Sequence, residues 1–384
     1  MTALSGKPAA ESGESNRRIS LLRVIAALGI VLLHTANVSE ILYREDITRA
    51  QDGFAMGIVY CMMWAVPCFL MVSGSLLLDP AREITWEKIL KKYVKRIGLA
   101  LLICCILFRL FDILMNGEGF SVLFLADAVY ELFTGTSWAH LWYLYLLIGL
   151  YLLLPFYRMI TEHASDRDLK ILLALYLVFQ SILPLTALAE VPCAFEIQTA
   201  SIYPFYFFAG HIILSGRLVI TRRNAVLMAA LSTIGIIGLS FAGAVALPDQ
   251  TILGGILGSY ASPLVAVQTV GIFVLLCCEH TKEVSAATAN AAKAEDVEKT
   301  AEAQPPVKKA MPAFLTETMQ LLDECGFGIY LLHMLFLRLF LRYLHWDPFT
   351  MGEWTLFAIA IGVFLLSAVV VALLRKIPRV SEVL

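Results

Sequence analysis

A chain of 384 residues that is 59% hydrophobic and only 16% charged, with a mean hydropathy of +0.77, is not a soluble globular protein, in which roughly one residue in four is charged. Its formal net charge of −2 gives no argument for nucleic acid, and none is expected as a partner. The composition points to an all-α integral membrane protein, because a spanning segment must satisfy its backbone internally and a helix does so.

Ten apolar runs are long enough to cross a bilayer, which takes about 17–25 residues. They lie near 20–38, 55–78, 97–115, 140–157, 169–188, 200–215, 224–246, 254–278, 325–343 and 354–374. The sixth is the weakest, since Tyr203, Pro204, Tyr206 and His211 interrupt it. Alternate loops differ sharply in basic residues: 23 Lys and Arg fall on the side of the N-terminus and 3 on the other. That asymmetry predicts a bundle of about ten transmembrane helices with both termini cytoplasmic.

The expected organisation is a cytoplasmic polar tail over 1–18, a transmembrane domain over 19–375 and a short cytoplasmic tail over 376–384. The first run is no cleavable signal: it is long, follows a polar tail and lacks a small-x-small site. Residues 118–136 alternate apolar and acidic positions and predict an amphipathic helix on the outer surface. Residues 280–313 are rich in Ala, Lys and Glu and end in Gln304-Pro-Pro306, a solvated cytoplasmic connection. No internal repeat of the kind found in transporters is visible.

Eight cysteines form no C-x-x-C pair. Cys104-Cys105 and Cys277-Cys278 sit in apolar runs as small hydrophobes, and Cys193 stands alone in an expected outer loop. Seven histidines show no H-x-x-x-H and no ligand spacing, so no metal is expected. Neither a G-x-S-x-G nor a phosphate-loop motif stands in a strand–helix context.

Five clusters break the apolar background. Arg23 and His34 stand eleven residues apart in the first run. At about 100° and 1.5 Å per residue they share one helix face, roughly 16 Å apart along the axis. A titratable group that deep is by default a functional hypothesis, with a snorkelling Arg and a hydrogen-bonded bundle histidine as the plainer alternative. Met71-Val-Ser73-Gly74-Ser75 closes the second run and also suits small-residue helix packing. Lys91-Lys92-Tyr93-Val94-Lys95-Arg96 leads into the third. Such a run anchors to anionic lipid, and it equally suits a polyphosphate ligand. Trp138-Ala-His140-Leu-Trp142-Tyr143 opens the fourth, as an interfacial belt or as rings for stacking on sugar. Gly326-Phe-Gly328-Ile-Tyr330-Leu-Leu-His333 places a second histidine near mid-membrane. Arg109 and Asp112, spaced i, i+3, are expected to pair with each other.

Taken in order, these blocks resemble the acyltransferase-3 family of bacterial membrane proteins. The matching features are Arg23-x10-His34, Ser73-Gly74, the basic stretch through Arg96-Ile97, His140-Leu-Trp-Tyr-Leu-Tyr-Leu-Leu-Ile-Gly-Leu-Tyr151, Tyr206-Phe-Phe-Ala-Gly210 and Gly328-Ile-Tyr-Leu-Leu-His333. The similarity runs over nearly all of 17–375, and ten helices is the family's number.

The resemblance implies transfer of an acyl group, most often acetyl from cytoplasmic acetyl-CoA, to a hydroxyl of an envelope glycan in the inner membrane of a bacterium. It implies catalytic roles for His34 and Arg23, and a coenzyme-side role for Arg96, Lys95, Lys92 and Ser73. His140, Trp142 and His333 are expected on the acceptor side. The family often has Arg-x-x-Arg ahead of Ile; here Tyr93 holds the first of these positions, with Lys92 beside it. The alternative is a secondary transporter with His34 and His333 as proton relay, in which the basic stretch has no clear work.

Overall fold

A computed structural model describes residues 9–119, 121–189, 201–246, 251–278 and 312–383. Cys193, and the connection over 280–313 as far as residue 311, lie outside the described residues.

The chain is helical throughout, with no strand among the described residues. Its first three helices are α1 (Ala9–Tyr43), α2 (Arg49–Met62) and α3 (Ala65–Leu77), followed by α4 (Trp86–Asn116), α5 (Phe124–Thr134) and α6 (Trp142–His163). The second half carries α7 (Asp166–Leu177), α8 (Tyr203–Leu214), α9 (Arg222–Ala246), α10 (Thr251–Leu257), α11 (Pro263–Cys277), α12 (Ala313–Arg338) and α13 (Thr355–Leu374). Each of the ten apolar runs falls on a helix. Among the described residues eight spans are long and apolar enough to cross a membrane, whereas α8 and α11 are shorter apolar helices.

The second run is two helices rather than one. Pro67 lacks an N–H for the Met63 carbonyl and its ring crowds that turn. The chain therefore breaks between α2 and α3, with the Met63 amide bonding back to Tyr60 O at 3.3 Å. Pro204 likewise does not interrupt the sixth run: it sits in the first turn of α8 and starts it. At twelve residues, α8 is only about 18 Å long, and Pro204 through Ile213 are buried on every face.

What buries α8 is α3. A Cβ added at Gly74 would lie 1.9 Å from Phe207 O, and one at Gly210 would lie 2.0 Å from Met71 O. The two glycines let the backbones of these helices touch, which is how small residues drive packing where water gives no help.

The expected amphipathic helix is α5, which left-handed Gly135 ends, as left-handed Gly117 ends α4 before it. Val122, Leu123, Tyr130 and Phe133 around it are all more than 65% exposed, as suits a surface that meets lipid headgroups.

Arg109 and Asp112 do not pair with each other. Asp112 gives both oxygens to other elements, Arg338 Nη1 at 2.9 Å and Trp138 Nε1 at 2.8 Å. Arg109 turns instead to Glu118 and Asp127, each at 3.6 Å. The helical i, i+3 spacing permits a pair, but better-placed partners on neighbouring segments outcompete it.

Candidate active site

One end of the bundle gathers the start of α1, the start of α4, the start of α12 and the chain's last described residues. A cavity of about 480 Å³ lies there, lined by Lys91, Lys92, Lys95, Arg96 and Arg375 among others. The basic stretch reaches it through a π-helical segment, Ile89–Val94, a form that recurs at functional sites. Lys92, Lys95 and Arg96 all face this cavity. Tyr93 instead packs its ring 5.7 Å from Tyr151. The position where the sequence departs from the family's pattern is thus turned inward, and its neighbour Lys92 supplies the charge. Arg96 is braced by Val383 O, 3.1 Å from its Nε, and by the Phe327 ring at 5.3 Å.

A second cavity of about 370 Å³ continues inward, sharing Arg96 and Glu324 with the first. Arg23, Ser73, Tyr143, Tyr151, Asp323 and Tyr330 line it. The Ser73-Gly74 block therefore does two things: Gly74 locks α3 to α8, and Ser73 faces the cavity. Arg23 is gripped by Asp323 as a fork, Nε to Oδ1 at 2.6 Å and Nη2 to Oδ2 at 2.5 Å, with Ser20 Oγ on the same carboxylate at 2.7 Å. This bidentate geometry fixes the plane of the guanidinium.

The inner cavity reaches Ile30 and Tyr330, one turn from His34 along α1 and three residues from His333 along α12. There three imidazoles meet. His34 Nδ1 is 2.8 Å from His333 Nε2, the two rings stacked with centroids 5.0 Å apart. His140 stands with its ring centroid 6.3 Å from His34 and 5.5 Å from His333.

The hydrogen bonds set the tautomers. A carbonyl only accepts, so the 3.1 Å contact of His333 Nδ1 with Ile329 O puts a proton on that nitrogen. In the neutral ring Nε2 is then the acceptor, and His34 Nδ1–H donates to it. His34 Nε2 keeps its lone pair. His140 Nε2 lies 3.4 Å from Leu331 O, while its Nδ1 is buried with no partner. The Tyr330 hydroxyl donates to the His140 carbonyl and ties α12 to this loop. Although three imidazoles meet, no group of three His, Cys, Asp or Glu side chains among the described residues has donors placed for a metal ion.

Trp142 is not brought to this cluster. His140 lies within a 3-10 turn over Ala139–Leu141, whereas Trp142 starts α6 and packs its ring against Tyr203 and Tyr260 at 5.7 and 5.4 Å. The structure thus joins Arg23, Ser73 and Arg96 around one cavity, and His34, His140 and His333 above it. Tyr143 and Tyr151, both from the His140 block, line the inner cavity as well, and Asp323 and Arg375 complete these surroundings without having been singled out by motif. For Asp323 a signal existed: an acidic side chain at the edge of an apolar run needs a cation, and Arg23 is in the corresponding position on the first.

The family model described as an acyltransferase domain, that of acyltransferase-3, matches residues 16–374. No curated protein and no solved structure matches the chain.

Proposed function

The chain belongs to the acyltransferase-3 family, and from that premise we propose that it is a bacterial inner-membrane O-acetyltransferase. It moves acetyl from cytoplasmic acetyl-CoA to a hydroxyl of an envelope glycan. In this reading the bundle has ten spanning helices with both termini in the cytoplasm, α8 and α11 serving as its short, protein-buried members.

The observation that carries the proposal is continuity. The basic cavity at Lys92, Lys95 and Arg96 shares the side chains of Arg96 and Glu324 with the adjoining cavity of Arg23 and Ser73, which reaches to one turn from His34. Coenzyme A has a pyrophosphate and a 3′-phosphate, so its nucleotide head suits the basic end, where guanidinium and ammonium groups meet phosphate. The pantetheine arm then runs inward past Ser73 and Arg23. His34 Nε2 takes the proton of the acceptor hydroxyl as its oxygen bonds to the acetyl carbon. The carbon–sulfur bond breaks, and the imidazolium returns the proton to the coenzyme thiolate. A positioned base supplies roughly 10²–10⁴-fold. Holding thioester and hydroxyl together supplies much of the rest. Arg23, held by Asp323, orients the donor; His333 fixes the tautomer of His34; His140 faces the acceptor.

Enterobacterial common antigen is the first acceptor to try, because the His140-Leu-Trp142 and Ile329-Tyr-Leu-Leu-His333 blocks resemble those of its O-acetyltransferase. The test is His34→Ala. We expect an inserted, normally abundant protein whose cells lack the O-acetyl groups that wild type adds to envelope glycans, read by mass spectrometry. Wild-type O-acetylation by this variant would sink the proposal. Solute flux into proteoliposomes without acetyl-CoA would favour a transporter instead.

A further inference from the structure

At the end of the bundle away from the basic cavity, a second set of residues converges on the histidine cluster from behind. Arg338, five residues beyond His333 on α12, lays its guanidinium carbon 3.7 Å from the centre of the Trp138 ring. Its Nη1 bonds Asp112 Oδ1 at 2.9 Å, and the same carboxylate takes Trp138 Nε1–H on Oδ2 at 2.8 Å. Below the indole lies Phe108, stacked at 4.2 Å with an interplanar angle of 10°. Phe108 in turn meets the His140 ring at 5.4 Å. Guanidinium, indole and phenyl thus form one layered column, closed by a carboxylate that holds its first two members, and the His140 imidazole meets its end at a tilt of 49°.

Chemistry explains why such a column is built. Arg338 and Asp112 stand near the ends of α12 and α4 with side chains 28% and 24% exposed, an ion pair at the edge of the apolar layer rather than in its middle. Here they cancel each other's charge, and they fix both the tilt and the depth of Trp138, which is itself buried and stands two residues ahead of buried His140. The lone pair of His140 Nδ1 has no partner among the described residues, so no hydrogen bond at that nitrogen positions the ring. Its place against His34 and His333 is set by the Tyr330 contact, by the Leu331 carbonyl and by this column.

We propose that Arg338, Asp112 and Trp138 are a clamp that positions His140 beside the His34–His333 pair, so that its bare Nδ1 is held where the acceptor hydroxyl can bond to it. Arg338 touches neither substrate; it acts through His140. The proposal rests on the acetyl-transfer reading above and names the residues that make its acceptor side rigid.

The experiment measures incorporation of labelled acetyl from acetyl-CoA into the glycan fraction of membrane vesicles containing the full chain. Turnover is expressed per folded molecule recovered from detergent as a monodisperse species. Arg338→Met should lower turnover at least about ten-fold and leave the acetyl-CoA KM within about two-fold, since the donor cavity is at the other end. Trp138→Phe keeps the stack on Phe108 but loses the bond to Asp112, and should lower turnover about three-fold or more. It serves in place of Arg338→Met if that variant is not recovered folded. In a His140→Gln background either change should have less than a two-fold further effect, because coupled residues are not additive. A full, undiminished loss in that background would overturn the clamp, as would wild-type turnover of both variants on their own. A merely structural role would lower the yield of folded protein and leave turnover per molecule unchanged. If wild type transfers label, His34→Ala does not, and the Arg338 and Trp138 variants match wild type, the clamp alone fails. If wild type transfers none, the acetyl-transfer reading fails and the clamp's role falls with it.

Discussion

The state of His34 is decided by a residue 299 positions away in the chain. His333 Nε2 accepts from His34 Nδ1 and so leaves His34 Nε2 bare. Removing that acceptor frees the ring to rotate and to take the other tautomer, in which Nε2 carries the proton and cannot act as a base. We expect His333→Ala to lower acetyl transfer about 10²-fold, comparable with the loss of a positioned general base. His333→Gln, whose side-chain carbonyl can accept from Nδ1–H, should recover part of it. Equal activities for the two variants, measured as glycan O-acetylation at matched protein levels, would remove His333 from this role. The sequence suffices to put Arg23 and His34 on one face, because both lie on one helix and the period is known. It does not suffice for their partners, since periodicity gives a residue's own face but not the helix it meets. Asp323 stayed hidden for that reason, and Arg109 with Asp112 misled for the same one: the stronger partners Arg338 and Trp138 come from other segments.

Among the elements, the α3–α8 contact is the one with least tolerance. Gly74 and Gly210 each stand against a backbone carbonyl of the other helix, at distances no real Cβ accepts, so the helices must separate for even a methyl group. Overpacking of this kind costs about 1–3 kcal/mol or more. Gly74→Ala should therefore lower the thermal midpoint in detergent and also reduce acetyl transfer, because Ser73 on the same turn lines the inner cavity. Gly98→Ala is the comparison: a Cβ there meets nothing within 4 Å, and Ala is favoured over Gly in a helix by about 1 kcal/mol. It should be neutral or slightly stabilising; a similar loss in both variants would refute the close-contact argument. The apolar runs locate every one of these elements in the sequence, yet hydropathy reads a helix buried in protein and one bathed in lipid alike. That is why α8, short and enclosed, looks like a weak span rather than a core helix. The break at Pro67 is legible from proline chemistry, whereas the π-helical entry to α4 leaves no pattern in composition.

At the scale of the molecule, Lys91, Lys92, Lys95, Arg96 and Arg375 line one cavity at one end of the bundle, which the proposed function makes the donor side. On the proposed reading, the basic cavity takes the nucleotide head by its phosphates, whereas the inner cavity and the histidines deal with the acetyl group. These two tasks can be separated with a shortened donor. Acetyl-pantetheine carries the thioester and the arm but no 3′-phospho-ADP, so it forgoes everything Lys92, Lys95 and Arg96 contribute. Arg96→Ala should raise the KM for acetyl-CoA roughly ten-fold, about 1.4 kcal/mol, with kcat little changed, because binding is lost far from the reacting carbon. The same variant should use acetyl-pantetheine as wild type does. Added salt should weaken acetyl-CoA use in wild type, since Lys92 and Lys95 are exposed and their pull on phosphate is screened over about 8–10 Å. It should affect acetyl-pantetheine hardly at all. An equal penalty on both donors in Arg96→Ala would mean that Arg96 supports the fold or the inner cavity instead, through its contacts with Val383 and Phe327, and that the nucleotide head docks elsewhere.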